Sequence, residues 1–299
     1  MKNIISYILF KILNFLRRPV IVDAITRLNR PISRKFLLLL DPNFSRKRFN
    51  FLLSDKYIVV GLDNGCELEI NLNDHLGFKF YLTKVIEPQI GSIMKRYGIN
   101  SNSKVLDVGA NIGLVSLPLK KEVGFALVCI EANPNTYGNL RRNLLLNRFD
   151  DVVSFNLALG DAKRSVNIHT RPGNSGASSL FSEWSAGLCE NEIYKVEMIC
   201  ADDLSVQDFD FVKVDIEGSE ISFLRGASKI LASKAIIYCE YVPFEMRKIG
   251  TDVGELVGLL SSNDRTVVFI DEFGRQCNDI PLDRRGSLLS TRSEDLELF

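Results

Sequence analysis

From Lys104 to Ile270, short apolar runs alternate with stretches of helical character, and no other feature narrows the possible folds as far. The runs are Lys104–Val108, Ala126–Ile130, Val152–Leu159, Phe209–Val214, Ala235–Cys239 and Thr266–Ile270, with a helix read between Asn135 and Asn147. Parallel strands need crossover connections, so strands separated by helices lie mostly parallel in one sheet with helices on both faces. The expectation is a doubly wound α/β fold that binds its ligand at the carboxyl ends of the strands.

Upstream the texture differs. Tyr57–Val60, Leu68–Ile70 and Phe78–Leu82 read as short strands separated by the turns Asp63-Asn64-Gly65 and Asn73-Asp74, and a helix near Pro88–Tyr97 stops at Gly98. Residues 51–98 are therefore expected to form a small β/helix appendage, and residues 99–299 the main domain. Residues 1–50, broken by Pro19, Pro31 and Pro42, are expected to form a basic helical extension. They hold eleven Lys and Arg against two Asp, a surplus of nine positive charges. The chain has 37 basic and 37 acidic residues, so the remainder carries the opposite surplus.

Ile4, Ile5, Ile8, Leu9, Ile12, Leu13 and Leu16 recur at helical spacing and are followed by Arg17 and Arg18. This stripe has two readings: packing on the protein's own body or a partner, or peripheral contact of residues 1–18 with an anionic membrane surface. The run is interrupted by Lys11 and leads to arginines rather than to a small-residue cleavage site, so it is expected to stay in the mature chain. No uncharged run approaches the about 20 apolar residues of a membrane span.

A composition of 46% apolar and 25% charged residues excludes disordered and disulfide-scaffold classes. The six cysteines lack a C-x-x-C pair and read as reduced thiols. The expected location is therefore cytoplasmic, with the inner membrane face as the peripheral alternative. Only His75 and His169 are present, which argues against a histidine-built zinc site. His169 reads as a strand-surface residue, Trp184 as packing, and the polar stretch Gly173–Ser182 as a loop that could serve as a lid.

The strongest chemical signal is Val105-Leu106-Asp107-Val108-Gly109-Ala110-Asn111-Ile112-Gly113. A buried strand delivers a carboxylate at its end, and glycines then let the backbone turn tightly against a ligand. Glu131 ends the next strand about 20 residues on, where an acid can accept both hydroxyl protons of a ribose. The turn lacks the G-x-G-x-x-G dinucleotide fingerprint, and no triphosphate-binding G-x-x-x-x-G-K loop occurs. A cofactor with ribose and no phosphate points to S-adenosylmethionine.

These segments resemble the FkbM family of class I S-adenosylmethionine-dependent methyltransferases. Asp107–Gly113 is similar to the family's opening motif, and Ile130–Pro134 to its second strand end, with Ala132 where Pro is usual. Leu157–Asp161 is similar to the third-strand segment, and Lys213-Val214-Asp215-Ile216-Glu217-Gly218-Ser219-Glu220 to the K-x-D-x-E-G-x-E signature. The likeness covers roughly residues 81–241 and implies a seven-stranded, Rossmann-like methyltransferase sheet. It also implies that Asp107, Gly109 and Gly113 shape the methionine side of the donor pocket, that Asn111 helps hold the donor, and that Glu131 binds the ribose. Ala158 and Leu159 would frame the adenine, Asp161 would accept its amine, and Glu87 would meet the donor's amino group.

Lys213, Asp215, Glu217 and Glu240 are the catalytic candidates, converging where two adjacent strands end. Crowded carboxylates can raise one pKa enough to make a base, with Asp215 the first choice and Glu217 the second. A competing role for Glu217 or Ser219 is to cap the helix that follows. The expected acceptor is a hydroxyl of a sugar, glycan, glycolipid or secondary metabolite. Two alternatives stand beside it: Mg²⁺-assisted transfer with the metal on Asp215, Glu217 and Glu240, and a non-catalytic donor-binding scaffold at a membrane surface. Nucleic acid is not expected as a partner, since the body is acidic and no N-P-P-Y-type motif occurs.

Overall fold

A computed structural model describes residues 57–171, 173–182, 192–271 and 273–292. The basic extension with its apolar stripe, Trp184 and Cys189 lie outside the described residues.

The chain begins with strands β1 (Tyr57–Gly61) and β2 (Glu67–Asn71), then α1 (His75–Thr83) and α2 (Gln89–Arg96). There follow β3 (Lys104–Val108), α3 (Ser116–Val123), β4 (Ala126–Ile130), α4 (Pro134–Leu146), β5 (Val153–Phe155) and β6 (Ala158–Leu159). Strands β7 (Arg164–Arg171), β8 (Asn174–Ser179) and β9 (Glu192–Ile199) form an insertion before β10 (Phe211–Val214), α5 (Glu220–Arg225) and α6 (Ser228–Ala232). The chain continues with β11 (Ile236–Tyr241), α7 (Pro243–Lys248), α8 (Val253–Leu260), β12 (Arg265–Ile270), β13 (Gln276–Cys277) and β14 (Gly286–Arg292).

The main sheet has the order β13-β12-β14-β11-β10-β3-β4-β5. Strands β5 through β11 in that order pair in parallel, while β14, β12 and β13 pair antiparallel. This is the expected doubly wound class, with an eighth strand contributed by the two-residue β13. The central strands are buried on both faces, which is why they read as continuous apolar runs rather than alternating ones. Val105, Leu127, Phe211 and Tyr238 face one core with α2, α3 and α4. Leu106, Val128, Val212 and Ile237 face the other with α5, α6 and α8. Chain order reverses between β3 and β10, the place where such sheets open a crevice at their carboxyl ends.

Four local expectations are corrected. Phe78–Leu82 is not a strand but part of α1, because Asp74 accepts hydrogen bonds from the N–H groups of Leu76 and Gly77 and so starts a helix where a hairpin turn was read. Val152–Leu159 divides: β5 closes the main sheet, and β6 pairs with β9 in a second, four-stranded sheet. Gly173–Ser182 is largely strand β8, paired with β7, which carries the half-buried His169. Finally, β1, β2 and α1 pack into the same core as the main sheet through Val60, Leu68, Ile70 and Phe80.

Two asparagines, one on α4 and one at its C-cap, fasten the hairpin to the body. Asn143 accepts from Glu69 N–H at 2.7 Å and donates to Glu69 O at 3.2 Å and Ile112 O at 2.9 Å. One turn on, Asn147 accepts from Glu67 N–H at 2.9 Å and donates to Glu67 O at 2.6 Å. The two side chains thus satisfy the free edge of β2 as a neighbouring strand would. Asn143 is completely buried, and Asn143→Ala would leave three main-chain groups without partners. The expected loss is about 2–4 kcal/mol in urea unfolding, and a loss below about 1 kcal/mol would mean that apolar packing alone docks the hairpin.

Candidate active site

The loops after β3 and β10 touch backbone to backbone. Gly109 has φ +81°, and a Cβ there would lie 1.8 Å from the Asp215 carbonyl oxygen, so only hydrogen fits. Gly113, at φ +88°, would place a Cβ 2.5 Å from Leu117 Cγ, so the helix after the loop sets a similar limit. Between them Asn111 is also left-handed at φ +52°, a conformation supported by its own Oδ1 accepting from Ile112 N–H at 2.8 Å.

Glu131 joins the first two strand ends. Its Oε2 accepts from Asn111 N–H at 2.9 Å and its Oε1 from Asn133 N–H at 2.8 Å. Each oxygen keeps a further lone pair for a hydroxyl proton. Burial raises the Glu131 pKa to about 7, against the opposing pull of those two N–H groups. Asn156, which the sequence reading did not single out, donates to Glu131 O at 2.9 Å and Ala132 O at 3.0 Å and fixes the loop behind the carboxylate.

A row of side chains crosses the sheet in register, from Cys129 through Asp107 and Lys213 to Tyr238. Lys213 Nζ sits 3.6 Å from Asp107 Oδ1 and 3.1 Å from Asp215 Oδ2. Burial favours the neutral amine, but Asp215, Asp107 and Glu87 together outweigh it and hold the lysine charged, its pKa well above normal. Asp107 is 1% exposed, and its Oδ1 has no hydrogen-bond partner among the described residues. Glu87, left-handed at φ +49°, reaches this group from before α2, and burial lifts its pKa to about 7.

Two further carboxylates meet Asp215. One oxygen each from Asp215, Glu217 and Glu240 lies within 4.8 Å of the others. Lys213 and Asp215 are two residues apart and so share a face of the strand, and although β10 ends at Val214 the Asp215 carboxylate stays on that face and takes the Lys213 ammonium. The helix start is also not capped as expected. The Ser219 hydroxyl makes no cap bond, and Glu220 instead accepts from Ile216 N–H and Gly218 N–H, both at 3.2 Å. Glu240, one residue before the end of β11, pairs with Arg285 at 3.1 Å. Burial and the neighbouring Asp215, Glu217 and Glu220 push its pKa well above the carboxylate range.

Ala158 and Leu159 are buried in β6, in the second sheet beside β9. Asp161 stands apart on the surface, where its ion pair with Arg164 at 2.5 Å holds its pKa below normal. The sequence reading also passed over the serines of β8. Ser175 Oγ lies 3.3 Å from the Asn111 side-chain amide, Ser178 Oγ accepts from Asn133 Nδ2 at 3.1 Å, and Ser179 Oγ donates to Glu217 O at 2.6 Å.

The methyltransferase FkbM domain matches residues 107–274, more than half of the chain. The chain belongs to the FkbM methyltransferase family. Among curated proteins it is similar to methyltransferase sdnD of Sordaria araneosa, at 28% identity over 43% of this chain and 62% of that one. It is also similar to methyltransferase 1 of Beauveria bassiana, at 25% identity over 42% and 58% of the two chains. The chain thus spans about three fifths of the length of these relatives. Among solved structures it resembles the methyltransferase FkbM of Methylobacillus flagellatus KT, with a TM-score of 0.46 at 21% identity over 71% of this chain and 52% of that one. The FkbM match opens on Asp107 and takes in Glu131, Lys213, Asp215, Glu217 and Glu240, while Asp74, Glu87 and Arg285 lie outside it.

Glu220 gives the FkbM site a pH signature. Burial lifts its folded pKa from 4.5 to about 7, so the folded state holds a proton that the unfolded chain releases, and stability falls as pH rises through that window. The variant Glu220→Gln keeps an acceptor for Ile216 and Gly218 without the ionisation. Its stability relative to the wild type should rise by about 3 kcal/mol between pH 4.5 and pH 8. Melting curves at several pH values check this, and a pH-independent difference would show that Glu220 ionises normally.

Proposed function

We propose that the chain transfers a methyl group from S-adenosylmethionine to a hydroxyl oxygen of a sugar, glycolipid or secondary metabolite. The observation that carries this is Glu131, a buried carboxylate gripped by the N–H groups of both glycine- and asparagine-bearing loops in a chain of the FkbM family. Its two oxygens fit a ribose diol. Asp107 Oδ1 makes no hydrogen bond and lies 3.6 Å from the Lys213 ammonium, which also serves Asp215, and with Glu87 beside them the acids outnumber that cation, which suits a donor with a cationic amino group and a sulfonium. When bound, the donor supplies an electrophilic methyl group.

The chain's own residues then orient the acceptor and take its proton. One Asp215 oxygen is taken up by the Lys213 ammonium at 3.1 Å, so the first choice from sequence moves aside. Glu240 is the better base. It is pushed up by burial and three neighbouring acids and keeps 14% of its side-chain exposure, at the edge of the group where an acceptor would approach. A second reading draws on the same trio: carboxylate oxygens within 4.8 Å of one another suit a bridging Mg²⁺, which would bind the acceptor oxygen directly. EDTA separates the two, since an unchanged rate removes the metal.

Two variants test the main reading. Glu131→Ala should weaken binding of S-adenosylhomocysteine by about 1–3 kcal/mol in calorimetry. Equal affinity in the folded variant would move the ribose elsewhere. Once mass spectrometry of extracts from cells with and without the gene has found the acceptor, Glu240→Gln should slow turnover about 10²-fold or more. In the wild type, turnover should rise with pH as the elevated carboxyl ionises, and this rise should vanish in the variant. If instead Asp215→Asn abolishes the rise and Glu240→Gln does not, Asp215 is the base.

A further inference from the structure

Asp74, a buried carboxylate outside the FkbM match, is linked through Ser175 to Asn111 in the loop after β3. Asp74 is the N-cap of α1 and is 9% exposed. Capping occupies only one of its oxygens: Oδ1 accepts from Leu76 N–H at 3.0 Å and Gly77 N–H at 3.1 Å. The rest of the carboxylate is turned to β8. Its Oδ2 accepts from Ser175 N–H at 2.6 Å, and Oδ1 takes the Ser175 hydroxyl at 3.1 Å. Two features lock β8 against α1 at this point. His75 N–H donates to Gly173 O at 3.0 Å, and a Cβ on Gly176 would lie 2.6 Å from Leu76 Cδ1.

Ser175 passes the constraint on. Its hydroxyl sits 3.3 Å from both Oδ1 and Nδ2 of Asn111, the left-handed residue whose N–H holds Glu131. Further along β8, Ser179 donates to the carbonyl of Glu217, which is left-handed at φ +51°. The loops after β3 and β10 each contain one left-handed residue other than glycine, and each of the two meets a β8 serine. Such backbone is held only where its surroundings over-determine it.

We propose that Asp74 is a positioning residue for the donor site: through Ser175 it registers β8 and thereby fixes Asn111 in the conformation that presents its N–H to Glu131. The inference rests on the reading of Glu131 as the ribose-binding group. If the link is cut, Asn111 can relax to an ordinary φ, and Glu131 loses one of the two N–H groups that aim it.

The test is calorimetry of S-adenosylhomocysteine on the full chain, with amide hydrogen exchange beside it. Asp74→Asn keeps an acceptor for the α1 cap but replaces the Oδ2 acceptor with an amide that cannot receive Ser175 N–H. Both Asp74→Asn and Ser175→Ala should raise the dissociation constant about tenfold, the equivalent of one hydrogen bond. Ser175→Thr, which keeps the hydroxyl, should restore it. The double variant should be no weaker than the weaker single one, because both cut the same link. Exchange at Asn111 and Ile112 should accelerate while β3 stays protected. Unchanged affinity in folded Asp74→Asn and Ser175→Ala overturns the proposal, as does weakening that tracks melting temperature and is not rescued by Ser175→Thr. If Asp74→Asn does not fold, Ser175→Ala and Ser175→Thr decide alone. A wild type that binds no S-adenosylhomocysteine would instead refute the donor reading.

Discussion

The Lys213 ammonium is buried between carboxylates, and the site is arranged around that one charge. Taking an acid out of water costs several kcal/mol unless something pairs with it, and Asp107 is 1% exposed. Lys213 lies within ion-pair distance of Asp107 and Asp215 and acts on Glu87 as well. With one ammonium in ion-pair range of two acids the group is short of positive charge, and Glu87 beside it has its pKa raised to about 7 chiefly by burial, against the pull of Lys213 and Lys79. A positively charged ligand would relieve the shortage.

The position of Lys213 follows from the sheet. Parallel pairing in register puts Asp107 beside it on β3 and Tyr238 beside it on β11, so the row exists because the strands do not slip. The crossing of chain order between β3 and β10 then opens their carboxyl ends to each other. There Gly109 lets the two loops approach until one main chain touches the next. A side chain at Gly109 would part the loops and carry Asp215 away from the lysine that stabilises it.

The sequence exposed those parts of the site that depend on local rules. A largely apolar strand carrying an acid and followed by glycines at forced positive φ, with a second acid at the next strand end, can be read from spacing, and Asp107, Gly109, Gly113 and Glu131 stand where that spacing puts them. What it hid depends on contacts distant in the chain. Phe78–Leu82 has the composition of a strand, and only the Asp74 cap and burial against the core make it helical. The serines of β8 looked like an ordinary polar loop, because a strand that lies over other loops rather than over an apolar core has no hydrophobic period to announce it.

The same contacts bear on where the working unit begins. A division after residue 98 would set the hairpin and the first two helices apart from the sheet, yet Val60, Leu68, Ile70 and Phe80 share one core with Val105 and Leu127. Asn143 of α4 and Asn147 at its C-cap satisfy the β2 edge, and Asn143 also bonds Ile112 O, inside the loop after β3. From this upstream stretch Glu87 enters the charge cluster and Asp74 reaches β8. A segment that supplies both an acid to the cluster and the anchor of the strand above it cannot be removed while leaving the site intact. Residues 57–98 are therefore part of the site's frame, although the FkbM match starts only at Asp107.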